Sequence, residues 1–384
     1  MIQTILLRLP NWLGDSVMCA SAFEKLKIMY PNAQFVLVGS YACEAFRREE
    51  RVRAIYLDES KRAKNRLLSL YRLCKQIRTE VGQIDLSFCF SNGFFGALLL
   101  YLCRAKVRVG YAKNLRSPLL THALTPPPLT PLHQVQKYEY LIKDFVDSII
   151  FTSFVPLSLV RGECSKIERS HTKHIGINPG AAFGWAKCWE KEYFVEIITR
   201  FVSRGWEVYI FGDTQNLTTQ SNAHIHDLSN QTSLIELIDS IGALDLFITN
   251  DSGPMHIAAA LHTPTIAIFG STDTADTCPW NEAIAREFFL PMRALLGDKN
   301  TEDKNALDSI RLDCSAPKDI TTLQSLTADN LTILSKHLKC SPCKKRTCPL
   351  SHHLCMKSIT PDEVFESALT ILGESAQKTR TKEL

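Results

Sequence analysis

The sequence predicts an α/β protein of two domains, each built on a parallel sheet. Three observations carry that prediction. At 384 residues the chain exceeds the size at which a single hydrophobic core stops growing. Apolar runs of strand length alternate with longer stretches of helical periodicity, the mark of repeated βα units. The alternation is broken by a polar segment, Arg161 to Lys173, and then restarts, so the expected domains are residues 1–165 and 166–384. Hydrophobic residues make up 45% and charged residues 22%, which excludes wholesale disorder.

In chain order, Ile2 to Leu9 is the first strand. The loop Pro10-Asn11-Trp12-Leu13-Gly14-Asp15 follows, then a helical pattern through Val17, Ala20, Phe23, Leu26 and Tyr30. Gln34 to Val38, Ala54 to Leu57 and Ile84 to Phe90 read as strands, with helices over Lys64 to Arg78 and Phe94 to Leu102. Pro126-Pro127-Pro128 and Pro131 interrupt the pattern before a helix over His133 to Val146. In the second half, strands are expected at His174 to Asn178, Glu207 to Phe211, Leu244 to Thr249 and Thr265 to Phe269, with helices at Tyr193 to Ser203 and Leu234 to Ile241. Ser271 to Lys339, including Gly297 to Lys304, reads as an extra polar loop, and Ser375 to Leu384 as a frayed tail.

Three strand-end loops carry residues suited to chemistry. In Thr249-Asn250-Asp251-Ser252-Gly253-Pro254-Met255-His256, Ser252 can cap a helix and Pro254 suits its first turn, which turns free amides toward an anion. Asp251 would repel a phosphate and is better suited to gripping hydroxyls, a combination that fits a nucleotide sugar. In Asn178-Pro179-Gly180-Ala181-Ala182, Gly180 permits close approach, the small side chains of Ala181 and Ala182 leave space, and Lys187 beyond them offers a positive charge to a diphosphate. In the first loop Gly14 allows a ligand near the backbone, and Asp15 either caps the helix or projects into a cleft. The plainer alternatives are a capped helix for Asp15, a solvated surface lysine for Lys187 and a satisfied helix histidine for His256.

Taken together, these loops, with Lys187-Cys188-Trp189 and the Asn250 to Ala260 block, resemble the ADP-heptose:lipopolysaccharide heptosyltransferases, the second-heptose enzymes most closely. The resemblance runs from the first strand to about Phe269 and resumes at Cys340. It implies a GT-B glycosyltransferase with two facing Rossmann-like domains, the acceptor in the N-terminal one and the donor in the C-terminal one. It also implies inverting chemistry without a catalytic cofactor or metal. Asp15 would be the base, beside Asn11, Trp12 and Gly14 on the acceptor side. Lys187 would hold the departing diphosphate, lined by Gly180, Ala181, Ala182, Ser252, Gly253 and His256, with Asp251 on sugar hydroxyls. Family members often carry hydroxyl side chains where this chain has Ala181 and Ala182. The partners implied are ADP-heptose and the lipopolysaccharide inner core, Kdo-lipid A bearing heptose. Two other readings share these residues: a GT-B transferase for another nucleotide sugar or acceptor, and a non-enzymatic nucleotide-sugar-binding module.

The N-terminal apolar run breaks at Arg8 and has no signal-peptide pattern, so a cytoplasmic protein is expected, in peripheral contact with the inner face of the inner membrane. Thirteen scattered cysteines suit reduced thiols there. Eleven Lys and Arg between Arg47 and Arg78 face only four acidic residues, a bias that attracts anionic partners. A net charge of +4 without an aromatic-basic platform argues against nucleic acid. Cys340, Cys343, Cys348 and Cys355 form a C-x2-C-x4-C-x6-C cluster with His352 and His353 inside it. Four thiolates can hold zinc or an iron-sulfur cluster in a structural role, and unligated thiols in a packed loop are the alternative. Similar clusters occur in many second-heptose transferases, where they sit late in the donor domain and away from the transfer step.

Overall fold

The computed structural model describes residues 2–127, 132–146, 154–212, 217, 222–286, 324–328, 330–336 and 338–374. The chain forms two compact units, Met1–Gly162 with Trp280–Leu312, and Glu163–Pro279 with Asp313–Leu384. No helix among the described residues is long and apolar enough to cross a membrane.

In the first unit the order is β1 (Thr4–Arg8), α1 (Leu13–Met18), α2 (Ala20–Met29), β2 (Gln34–Gly39), β3 (Val52–Leu57), α3 (Arg66–Val81), β4 (Leu86–Cys89), α4 (Phe94–Leu102), β5 (Val107–Tyr111), β6 (His122–Leu124) and α5 (Gln134–Val146). The six strands are all parallel, in the order β3-β2-β1-β4-β5-β6. All five residues of β1 are buried, because a central parallel strand is covered on both faces, and its middle three, Ile5 to Leu7, are apolar. Arg8 is no break in this strand. It is buried at the strand end, where it pairs with Asp58 at 3.1 Å. The helical pattern expected to run unbroken from Val17 to Tyr30 is divided at Cys19 into α1 and α2. In α3, Asn65 caps the first turn through Leu68 N, and Leu70, Cys74, Ile77 and Val81 form the buried stripe against the sheet.

The second unit runs β7 (His174–Asn178), α6 (Lys191–Val202), β8 (Glu207–Ile210), β9 (Ile225–Asp227), α7 (Leu234–Ile241), β10 (Leu246–Asn250), α8 (Gly253–Ala260), β11 (Thr265–Phe269), α9 (Thr274–Thr277), β12 (Gln324–Ala328), β13 (Leu331–Ser335), α10 (Leu354–Lys357) and α11 (Pro361–Ile371). Its seven strands follow the order β12-β13-β11-β10-β7-β8-β9, parallel except for the β12–β13 pair. Ile175 and Ile177 on β7, Ile248 on β10, and Ile266 and Ile268 on β11 form its core with Phe194, Ile197 and Phe201 of α6. The expectation of a loop over Ser271 to Lys339 fails at both ends. α9 opens the stretch, and β13 near its close pairs with β11, Phe269 opposite Ser335. All of Leu331–Ser335 is buried, so this short run, easily lost among polar neighbours, belongs to the sheet. Gly297 to Lys304 and Ser375 to Leu384 lie outside the described residues.

Both strand orders reverse direction between two central parallel strands, β1 and β4 in the first sheet and β7 and β10 in the second. At such a reversal the loops leaving adjacent strand ends diverge and open a crevice, where α/β sheets bind ligands. The loops in question are those after β1, β7 and β10, the three the sequence singles out.

Candidate active site

After β1, the loop from Pro10 to Trp12 is held from three sides. Arg8 Nη2 donates to Asn11 Oδ1 at 3.1 Å, Ser40 Oγ to Asn11 O at 2.7 Å, and Ser16 Oγ to Pro10 O at 3.0 Å. Asn11 and Trp12 remain exposed. Trp12, not Asp15, occupies the N-cap of α1, so the capping alternative for Asp15 does not hold. Asp15 sits in the first turn, where a carboxylate is favoured by the helix dipole, and accepts a hydrogen bond from Tyr138 of α5, O–O 2.9 Å. Burial holds the Tyr138 hydroxyl well above its ordinary pKa. Tyr138 lies 123 residues away, and nothing in the sequence marks it.

After β7 and β10, polar side chains knit the two strand ends together. Thr249 and Asn178 are register partners. Asn178 Nδ2 donates to Gly180 O at 3.2 Å, to Thr249 Oγ1 at 3.2 Å and to Ser252 Oγ at 3.0 Å. Asn250 Nδ2 donates to Pro179 O at 2.7 Å, and Trp189 N to Asn250 Oδ1 at 3.0 Å. Ser252 is the N-cap residue of α8, yet its side chain makes no capping bond; it turns to Asn178 and Thr249, leaving the first-turn amides without a side-chain partner at the cap. Ala181 is half-buried and Ala182 exposed, beside the half-buried Gly180 and with Gly253 opening α8.

Lys187 and Asp251 form an ion pair, with side chains 13% and 4% exposed, so Lys187 is not a solvated surface lysine. Thr272 Oγ1 donates to the same Asp251 oxygen at 2.6 Å. Sequence reasoning missed Thr272 because only the fold returns the end of β11 to Asp251. His256 is buried, and its Nδ1 has no hydrogen-bond partner, so it is not a satisfied helix histidine. Burial, reinforced by the Lys187 charge, depresses its pKa to about 3, and it is neutral near pH 7.

A family model described as glycosyltransferase family 9 (heptosyltransferase) matches residues 70–287, more than half the chain. This chain belongs to glycosyltransferase family 9. Lipooligosaccharide heptosyltransferase 2 of Campylobacter jejuni is 31% identical over 97% of this chain and 99% of that protein. Among solved structures, Escherichia coli ADP-heptose lps heptosyltransferase II superposes with a TM-score of 0.70 at 21% identity, covering 96% of this chain and 98% of that one. The fold is thus that of the GT-B heptosyltransferases. The iron-containing dodecameric glycosyltransferase TibC of enterotoxigenic E. coli matches at a TM-score of 0.52 and 11% identity, covering 97% of this chain and 76% of that one.

In this family 9 glycosyltransferase the cysteine loop is closer to the Lys187 site than expected. Cys340, Cys343, Cys348 and Cys355 line one small cavity with His352, and the same cavity touches Ala186 and Ser271, the neighbours of Lys187 and Thr272. Arg346 O accepts from Ala186 N at 3.0 Å, and Lys344 N donates to Ser271 O at 2.8 Å. His353 Nδ1 pairs with Glu190 at 2.8 Å while its ring lies 4.0 Å from that of Trp185. Gly184, at φ +148°, lies so close that a Cβ would sit 2.5 Å from Arg346 O. Burial and the three neighbouring thiols push Cys355 up to about 11. Among the described residues, no group of three or more His, Cys, Asp or Glu side chains is arranged to hold a metal ion.

The basic run divides in two. Arg51 donates to the carbonyls of Ala33 and Lys27, Arg53 to those of Val81 and Glu80, and Arg66 lies 3.4 Å over the Phe95 ring; these are structural. Lys61, Arg62, Lys64, Arg72 and Lys75 are exposed. Nearby, Tyr71, Arg78, Tyr101, Arg104, Lys106 and Arg108 line an open groove of about 520 Å³.

Proposed function

We propose that this enzyme transfers heptose from ADP-heptose to a hydroxyl of the lipopolysaccharide inner core, Kdo-lipid A bearing heptose, with inversion at the anomeric carbon. The N-terminal domain takes the acceptor and the C-terminal domain the donor. What supports this reading is that, in a chain of glycosyltransferase family 9, the loops leading to Asp15, Lys187 and Asp251 leave the strand ends where each sheet order reverses. Asp15 takes the proton of the acceptor hydroxyl as its oxygen bonds to the anomeric carbon, and the bond from that carbon to the ADP oxygen breaks, the electron pair leaving with ADP. Lys187, the first-turn amides of α8, and Ser252, Gly253 and His256 meet the diphosphate charge. Gly180, Ala181 and Ala182 admit the diphosphate closely, and backbone amides supply what hydroxyl side chains give in relatives. Asp251, with Thr272, holds sugar hydroxyls.

Incubation with ADP-heptose and truncated lipopolysaccharide acceptors, followed by mass spectrometry of the lipid, tests the donor and acceptor together. Asp15→Asn should lower turnover ~10²–10⁴-fold, the usual cost of losing a general base, with ADP binding intact. Near wild-type turnover of that variant would return Asp15 to a structural role.

Two further assignments belong to this reading. The four thiols are the right donors for a structural zinc or iron-sulfur centre, and a neighbour of like fold contains iron. Such a centre would stiffen the loop behind Lys187 and take no part in the transfer. The exposed lysines and arginines of the first unit contact the anionic surface of the inner membrane, where the acceptor lipid resides.

A further inference from the structure

Asp15 is held by Tyr138 of α5, and α5 is locked in turn. Glu139, next to Tyr138, pairs with Lys25 of α2 at 2.9 Å; both side chains are essentially inaccessible, and Ser21 donates to the same carboxylate. Breaking a buried pair of this kind is costly, so the register of α5 against α2 is fixed. The Tyr138 ring packs edge-on against Phe90 at 5.8 Å, which removes its remaining freedom. The hydroxyl therefore arrives at Asp15 Oδ1 from a rigid frame, with Gln134 hydrogen-bonded to it from one turn earlier on the same helix.

We infer that Tyr138 is a positioning residue for the transfer reaction, fixing the Asp15 carboxylate and keeping it ionised by donating a hydrogen bond to one of its oxygens. This rests on Asp15 being the base. A neutral donor stabilises the carboxylate over the carboxylic acid, so the base stays charged to lower pH. The thiols and the phenol beside it do not titrate with it. Cys19, at the end of α1, and Tyr138 are held well above their ordinary values chiefly by burial, and Cys43, behind Cys19 on the turn Tyr41–Phe46 and flanked by Arg8, Glu44 and Asp58, is pushed up to about 12. All three remain neutral where a carboxylate titrates, so a shift of the acidic limb that follows the strength of the Tyr138 donor reports Asp15.

The test is the pH profile of kcat/KM for the acceptor, measured on Tyr138→Phe and on protein in which 3-fluorotyrosine replaces Tyr138. Tyr138→Phe should move the acidic limb up by about one pH unit, the size of a lost hydrogen bond to a charged group, and lower kcat several-fold with KM for ADP-heptose unchanged. The fluorinated ring is a stronger donor of nearly the same shape and should move the limb the other way. Opposite shifts are not produced by a merely structural residue, and the fluorinated protein keeps the comparison open if Tyr138→Phe melts early. Unmoved limbs in both, with Asp15→Asn inactive, overturn the inference and leave the base in place. An active Asp15→Asn removes the base, and this inference with it.

Discussion

His256 lies near the start of α8 with an unpartnered ring nitrogen, and burial makes its neutral form the folded one. An unfolded histidine titrates near 6.5. With the folded pKa depressed to about 3, the unfolded chain binds the extra proton between these values, so stability is complete above about 6.5 and declines as pH falls toward 3. The wild-type melting temperature should therefore drop more steeply between pH 7 and pH 4 than that of His256→Gln. A difference of roughly 10 °C is expected, since the linkage over that range is about 3 kcal/mol and 1 kcal/mol moves a domain of this size by about 2–4 °C. Parallel curves would mean that the ring takes up a proton without cost. At this scale the sequence marks residues whose role is set by nearest neighbours in the chain: Asp15 after Gly14, Lys187 beyond the Gly180 loop, Asp251 at a strand end. Their partners are not marked. Tyr138, Thr272 and Arg8 reach the site only through tertiary packing, and a buried arginine at the end of an apolar run looks in sequence like the end of the run.

Among the elements, the central strands and the helices were legible because a twice-buried parallel strand is a short, mostly apolar run and a helix a longer one, or one apolar at every third or fourth position. The helices Phe94–Leu102 and Leu234–Ile241 and the strands His174–Asn178 and Thr265–Phe269 match expectation residue for residue. Peripheral strands were not. β6 is largely exposed, β9 is three residues of mixed character, and β5 carries Arg108, so none shows a clean period. The cysteine loop is the informative case, since its spacing was visible but its place was not. Because Gly184 and Ala186 meet Arg346, Ser271 accepts from Lys344 and Gly270 accepts from Ser341, loosening that loop should be felt at Lys187. Replacing Cys340 and Cys343 by serine should lower the melting temperature and weaken ADP binding together, and metal analysis of the wild type should return about one zinc, or iron, per chain. Undiminished ADP affinity in the double variant would separate the two loops, and protein purified without chelator that holds neither metal would leave four plain thiols.

Across the whole molecule, charge is unevenly placed. Residues 58–108 hold ten Lys and Arg against four Asp and Glu, +6, whereas the full chain carries only +4, so everything else sums to −2. A surface so biased, with exposed Leu67, Tyr71 and Tyr101 among the cations, should bind phosphatidylglycerol vesicles and release them as salt rises. Arg72→Glu with Lys75→Glu should abolish sedimentation with those vesicles while leaving transfer to a delipidated acceptor unchanged; retained binding would place the membrane contact elsewhere. That the chain builds two α/β units was readable from its length and its restarted alternation. The grouping of residues 280–286 with the first unit was not, because no local pattern records which core a passing segment joins. The pairing of Lys187 with Asp251 bears on how the donor is captured. Before ADP arrives, the site's cation and anion cancel each other, so Lys187 casts little field into solvent and does not draw the nucleotide in from a distance. On the proposed donor assignment, the diphosphate would displace the aspartate from the lysine and free it for the sugar, so one exchange of partners would arm both ends of the donor.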